Sequence, residues 1–189
     1  ICDEIINLNE TGKFRRFIPD KVYFVNYIRE SVNKLVPQFE NHYSDLAKDK
    51  SNRSSFVAYG KAQGIAYNDP ADYYRLIARQ SVYNLVTKII FYLTVRRYFD
   101  ELPDLYANDI HDLDKYLRVA FAKAQEKDWQ AVFEESEIEA FGIPKSCYKD
   151  LQDFFIEMKV YHFGELPEDV IGELFEEIIE PDKRHSLGQ

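Results

Sequence analysis

Glycine and proline are scarce, at 7 each in 189 residues, which leaves few turn-formers for a fold of many short strands. Cysteine is scarcer still. Cys2 and Cys147 make neither a disulfide framework nor a metal-ligand spacing, and no signal-peptide pattern is recognisable, so a reducing, cytoplasmic setting is expected. Long apolar runs are also missing. The charge-free runs of the most apolar segment, 80–87 and 89–95, are bounded by Arg79, Lys88 and Arg96, whereas a bilayer needs roughly 20 residues. No membrane partner is expected. The 4 histidines, His42, His111, His162 and His185, sit apart, with no HxxxH pair and no neighbouring cysteine, so no metal centre is expected. Phosphate-loop, dinucleotide-binding and nucleophile-elbow frames are all absent.

What the chain has in quantity is aromatic bulk, with 14 Tyr and 14 Phe, and helical periodicity. The segment 69–99 is the most apolar. Asp69 can cap its first turn, Pro70 suits the first helical position, and Asp72 stands where a capping-box acid would reach back. Leu76, Ile77, Val82, Leu85, Val86, Ile89, Ile90 and Leu93 cover more than one face, as in a helix wrapped by others. Before it, Ile28, Val32, Leu35, Phe39 and Tyr43 form one stripe over 20–47, where Pro37 predicts a kink or the start of a second helix. The polar stretch 49–68 reads as a loop carrying one short helix over 56–62. After it, Ile110, Leu113, Leu117, Phe121 and Ala124 predict a helix over 110–126 capped by Asp109. Short helical stretches around Trp129–Phe133 and over 146–160 follow. The last helix covers 167–180, with Val170, Ile171, Leu174, Phe175, Ile178 and Ile179 opposite Glu173, Glu176, Glu177 and Glu180. The expected fold class is all-α, a multi-helix bundle around a central buried helix. Residues 1–165 form the bundle, and 166–189 form an amphipathic helix and linker.

Charge is divided unevenly. Residues 1–99 carry 15 Lys/Arg against 10 Asp/Glu, and residues 100–189 carry 9 against 23. A basic-aromatic cluster, Lys13, Arg15 and Arg16 around Phe14 and Phe17, can hold a phosphate backbone. One catalytic pattern needs weighing. Pro103-Asp104 with Glu157-Met158-Lys159 has the order of residue types, proline-aspartate then acid-x-lysine, with which metal-dependent nucleases hold Mg²⁺ on two carboxylates beside a lysine. The separation of 53 positions is long and reads as helices in place of a strand, and Glu157 and Lys159 fall in a helical pattern, so no catalytic residue is assigned.

The tail is more specific. Leu166-Pro167-Glu168-Asp169-Val170-Ile171-Gly172-Glu173-Leu174-Phe175-Glu176, then Arg184 and Leu187-Gly188-Gln189, resembles the approach to the catalytic domain in N6-adenine DNA methyltransferases of restriction-modification systems. Both type I modification subunits and fused type II enzymes have this feature. The segment 80–92, with Leu102-Pro103-Asp104-Leu105 after it, is similar to the helical domain preceding that approach. The resemblance implies a parent enzyme that transfers a methyl group from S-adenosylmethionine to an adenine amine. It places Leu187, Gly188 and Gln189 at the edge of the donor site, and makes Lys183 and Arg184 candidates for DNA contact with Lys13, Arg15 and Arg16. Its implied partners are a catalytic domain of the same chain, DNA and a specificity module. The donor loop (D-P-x-x-G-x-G) and the Asn/Asp-Pro-Pro-aromatic motif that holds a flipped adenine do not occur in these 189 residues. This stretch is therefore expected to be a non-catalytic piece of a longer protein. A self-contained helical module that binds another protein and no DNA is the alternative.

Overall fold

The computed structural model describes residues 21–160, apart from Arg97, 106–110 and Asp128. Those residues form six α-helices and two 3-10 turns, with no strand among them, so the fold is all-α. No helix among the described residues is long and apolar enough to cross a membrane.

The first helix, α1 (Lys21–Leu46), buries Phe24, Val25, Ile28, Val32, Leu35, Phe39 and Tyr43 at spacings of one, three and four residues. Pro37 lies inside it without starting a second helix. Proline withholds one hydrogen bond, here from the Asn33 carbonyl. Both Asn33 and Pro37 are exposed, so water can take that place and the helix continues.

The predicted loop at 49–68 is mostly helix. The second helix, α2 (Lys50–Ala62), is capped by Asp49, whose carboxylate accepts from the Ser51 and Asn52 amides at 2.8 and 3.1 Å. Asn52 Nδ2 and Arg53 Nε donate back to the Leu46 and Ala47 carbonyls, so two side chains on α2 satisfy carbonyls at the orphan end of α1. Little of α2 is apolar; Phe56, Tyr59 and Gly60 are buried.

The third helix, α3 (Pro70–Arg96), starts as expected: Asp69 Oδ1 accepts from the Ala71 and Asp72 amides at 2.7 and 3.2 Å. No residue from 77 to 96 is exposed. The helix packs along α1 in the most extensive pairing of the bundle. Each fully buried Ile, Val or Tyr on this seam contributes on the order of 1.5–3 kcal/mol. Tyr92 Oη, buried here, donates to the Pro103 carbonyl at 2.7 Å and fixes the turn that follows.

Helix α4 (Leu113–Gln125) begins later than the pattern predicts, and its cap is Asp112, which accepts from the Lys115 amide at 3.1 Å. Asp109 lies outside the described residues. A one-turn helix, α5 (Gln130–Phe133), packs on α4, and 3-10 turns cover Glu139–Phe141 and Lys145–Cys147. The last described helix, α6 (Tyr148–Val160), returns to α1, where Tyr27 stacks on Phe154 and Gln38 donates to Asp150 at 2.6 Å. At its end Tyr23 Oη donates to Glu157 at 3.4 Å, so the two ends of the described chain meet. The helix expected over 167–180 lies outside the described residues.

Candidate functional site

Lys88 sets the site. Among the described residues of α3 it is the charged one that is buried, at 8% exposed. An ammonium there needs a carboxylate and further acceptors to offset its lost hydration. Glu139 supplies both carboxylate oxygens at 2.7 and 2.8 Å, and the Glu134 carbonyl supplies a third acceptor at 2.8 Å. Glu139 also accepts from the Ser136 amide at 2.9 Å, which closes the turn that carries it.

A second cation works on the same segment from α4. Arg118 donates to Asp114 at 3.0 Å, to the Glu135 carboxylate, and to the Glu139 carbonyl. Asp114 in turn accepts from the Ile143 amide at 3.0 Å. The Ile143 amide reaches Asp114 because Gly142 turns with φ +79°, a conformation that side chains other than hydrogen resist. His42 Nε2 lies 3.1 Å from the Phe141 carbonyl, and the Phe141 ring stacks on Phe56 at 4.4 Å. Residues 134–143 are thus a strap fastened to α1, α2, α3 and α4.

Beneath the strap lies a cavity of about 120 Å³, walled by Phe39, Tyr43, Leu85, Leu117, Phe121 and Ile143. Lys88, Arg118, Glu135 and Glu139 stand at its polar edge. Small-molecule sites usually measure roughly 300–1,000 Å³. This one is too small for a nucleotide or for S-adenosylmethionine, and its cations already hold carboxylates of the protein.

The remaining reactive groups are poised for packing. Burial drives the Tyr43 phenol far above its ordinary value and pushes Tyr59 up to about 12. Burial likewise pushes the Cys147 thiol up to about 12, which leaves it protonated and unreactive at neutral pH. Among the described residues no group of three His, Cys, Asp or Glu could hold a metal ion. The nuclease-like residues have other engagements: Asp104 lies 3.3 Å from Arg96, and Glu157 accepts from Tyr23.

The candidate contacts Lys13, Arg15, Arg16, Lys183 and Arg184, and the donor-edge residues Leu187, Gly188 and Gln189, lie outside the described residues. Sequence reading missed the Lys88–Glu139 and Arg118–Asp114 network. One signal was present: a lysine amid the apolar face of a buried helix requires a counter-ion somewhere in the chain. Comparison with protein-family models, with curated proteins and with solved structures returns no match.

Proposed function

We propose that this chain is the helical domain preceding the catalytic domain of an N6-adenine DNA methyltransferase in a cytoplasmic restriction-modification system. The observation that carries this reading is the sequence 166–176 with Arg184 and Leu187-Gly188-Gln189. Two features of the bundle support it. Its described residues are all-α, as the resemblance implies, and the polar groups around Lys88 and Arg118 fasten helices together. The domain's work is architectural. It buttresses the catalytic domain, offers Lys13, Arg15, Arg16, Lys183 and Arg184 to DNA phosphates, and presents a face to a specificity module. Leu187, Gly188 and Gln189 stand at the edge of a donor site that the following domain completes with S-adenosylmethionine.

The reading frame beyond Gln189 tests this directly. It is expected to encode aromatic-Tyr-Thr-Pro, a glycine-rich donor loop and an Asn/Asp-Pro-Pro-aromatic motif. The protein extended through them is expected to move labelled methyl groups from S-adenosylmethionine to adenine in DNA. A frame without those segments overturns the reading in favour of a self-contained interaction module.

A further inference from the structure

Residues 50–99 contain two acids, Asp69 and Asp72, against eight Lys/Arg, a net +6 within a chain whose total is −9. Four of those cations are engaged with acids or a ring. Lys88 holds Glu139, Arg96 lies near Asp104, Arg75 lies 3.5 Å from Glu40, and Arg79 stands over the Tyr83 ring. Lys50, Arg53 and Lys61 on α2 differ: all three are exposed, and none is paired with a carboxylate among the described residues.

Their placement is regular. At 3.6 residues per turn, Lys50, Ser54 and Lys61 fall within roughly 40° of one another on the side away from Phe56, Tyr59 and Gly60. Arg53 lies about 60° to one side, and the row from Lys50 to Lys61 is roughly 16 Å long. No acid occurs from residue 50 to residue 68. What surrounds the cations is hydroxyl and amide: Ser51, Ser54 and Ser55 on the helix, then exposed Gln63 and Asn68 with the Tyr67 ring between them. The nearby carboxylates of Asp49 and Asp69 are turned onto backbone amides as helix caps. Cations, hydroxyls and amides together are the donors that contact nucleic-acid phosphates, and a missing acid removes the repulsion.

We propose that the outer face of α2, with the loop 63–68 that follows it, is a docking surface for the phosphate backbone of duplex DNA. The choice of DNA as the polyanion rests on the proposed function above. The role assigned to the surface is to position the duplex, since lysine and arginine contacts to phosphates carry no base information.

The test uses the 189-residue chain and a labelled mixed-sequence duplex, titrated by fluorescence anisotropy from about 50 to 200 mM salt. Each phosphate contact contributes about 0.9 to the slope of log affinity against log salt. The triple variant Lys50→Ala/Arg53→Ala/Lys61→Ala is expected to lower that slope by about 2.7 and to weaken binding at least roughly tenfold at low salt. Arg53 also bonds the Ala47 carbonyl, so the pair Lys50→Ala/Lys61→Ala provides a variant that keeps this bond, with an expected loss of about 1.8. Lys115→Ala/Lys123→Ala, exposed lysines of the acidic half, is expected to leave the slope unchanged.

No DNA binding by the unaltered chain overturns the proposal, as does an equal slope in the α2 and control variants. Poly-glutamate binding α2 with the same affinity and salt dependence also overturns it, in favour of an acidic protein partner. None of these outcomes touches the frame beyond Gln189 or methyl transfer, so the surface and the parent activity fail separately.

Discussion

Replacing Gly60 by alanine would put a methyl group where the Tyr73 phenol already lies. The added carbon would sit 2.0 Å from Tyr73 Oη, 2.6 Å from its Cζ and 2.8 Å from Cε2, against an optimal separation of roughly 3.5–4.0 Å. The ring is 1% exposed and cannot swing clear, because Tyr67 and Tyr74 pack on it at 4.7 and 5.6 Å. Moving it breaks the 2.6 Å hydrogen bond to the Phe56 carbonyl, which lies in α2 beside the site of substitution. Overpacking costs about 1–3 kcal/mol, and the stranded carbonyl and phenol about 1–3 more. Alanine returns about 1 kcal/mol of helix propensity, so the expected net loss is about 1–5 kcal/mol. For a chain of this size each kcal/mol lowers Tm by about 2–4 °C, readable by far-UV circular dichroism or urea denaturation. The partner identifies the cause. Tyr73→Leu removes all three overlapping atoms, so the double variant is expected to lose at least about 1 kcal/mol less than the two single losses together. Tyr73→Phe leaves Cζ and Cε2 in place and relieves little. A Gly60→Ala chain as stable as the parent, or more so, would refute the close approach of α2 and α3.

The strap and the tyrosines give two further tests. Lys88→Met leaves Glu139 without its cation and is expected to cost about 2–4 kcal/mol in urea denaturation, somewhat under a fully buried pair because Glu139 keeps contact with water. Lys88→Met/Glu139→Leu should recover most of that; equal losses in single and double variants would show that the cost is not that of a stranded Glu139 charge. Stability should also fall in alkali. Tyr59 is held near 12, and Tyr43 and Tyr92 are raised by the same burial, above an ordinary phenol value of 10.0. Their contribution is fully present below about pH 10 and is lost as pH rises toward 12 and beyond, because the unfolded chain releases these protons first. Tyrosinate absorbance should therefore rise together with the loss of helical ellipticity. Complete ionisation near pH 10 with helices intact would contradict the burial of these rings.

Legibility in the sequence followed how local the cause was. The start of α3 could be read because Asp69, Pro70 and the apolar run lie within one turn of each other, and α1 because its stripe repeats at helical spacing. The cap of α4 was misplaced by three residues because Asp109 and Asp112 are chemically identical, and which one caps depends on where the chain enters the bundle. Most of α2 was hidden for a different reason. Its serines and asparagine favour turns on their own, and it is held by Asp49 and by bonds to the end of α1. The strap was the least legible part. Lys88 announced that it needed a partner, but nothing local could choose Glu139, 51 residues away, among the many acids of the second half.

The meeting of Tyr23 with Glu157 has a consequence for reach. Helix α1 is 26 residues, about 39 Å long, and α2 is fastened to its far end through Leu46 and Ala47. Chain arriving before residue 21 and chain continuing after residue 160 therefore attach at one pole, while the acid-free helix stands at the other. One turn of duplex DNA spans about 34–36 Å, so on the proposed function a DNA-holding body at the first pole and the lysines at the second would meet phosphates about one turn apart. The second grip would then form within a complex already made, at an effective concentration near the millimolar range. On the proposed reading, two weak electrostatic contacts set apart by α1 would act as a bivalent clamp with the spacing of that helix.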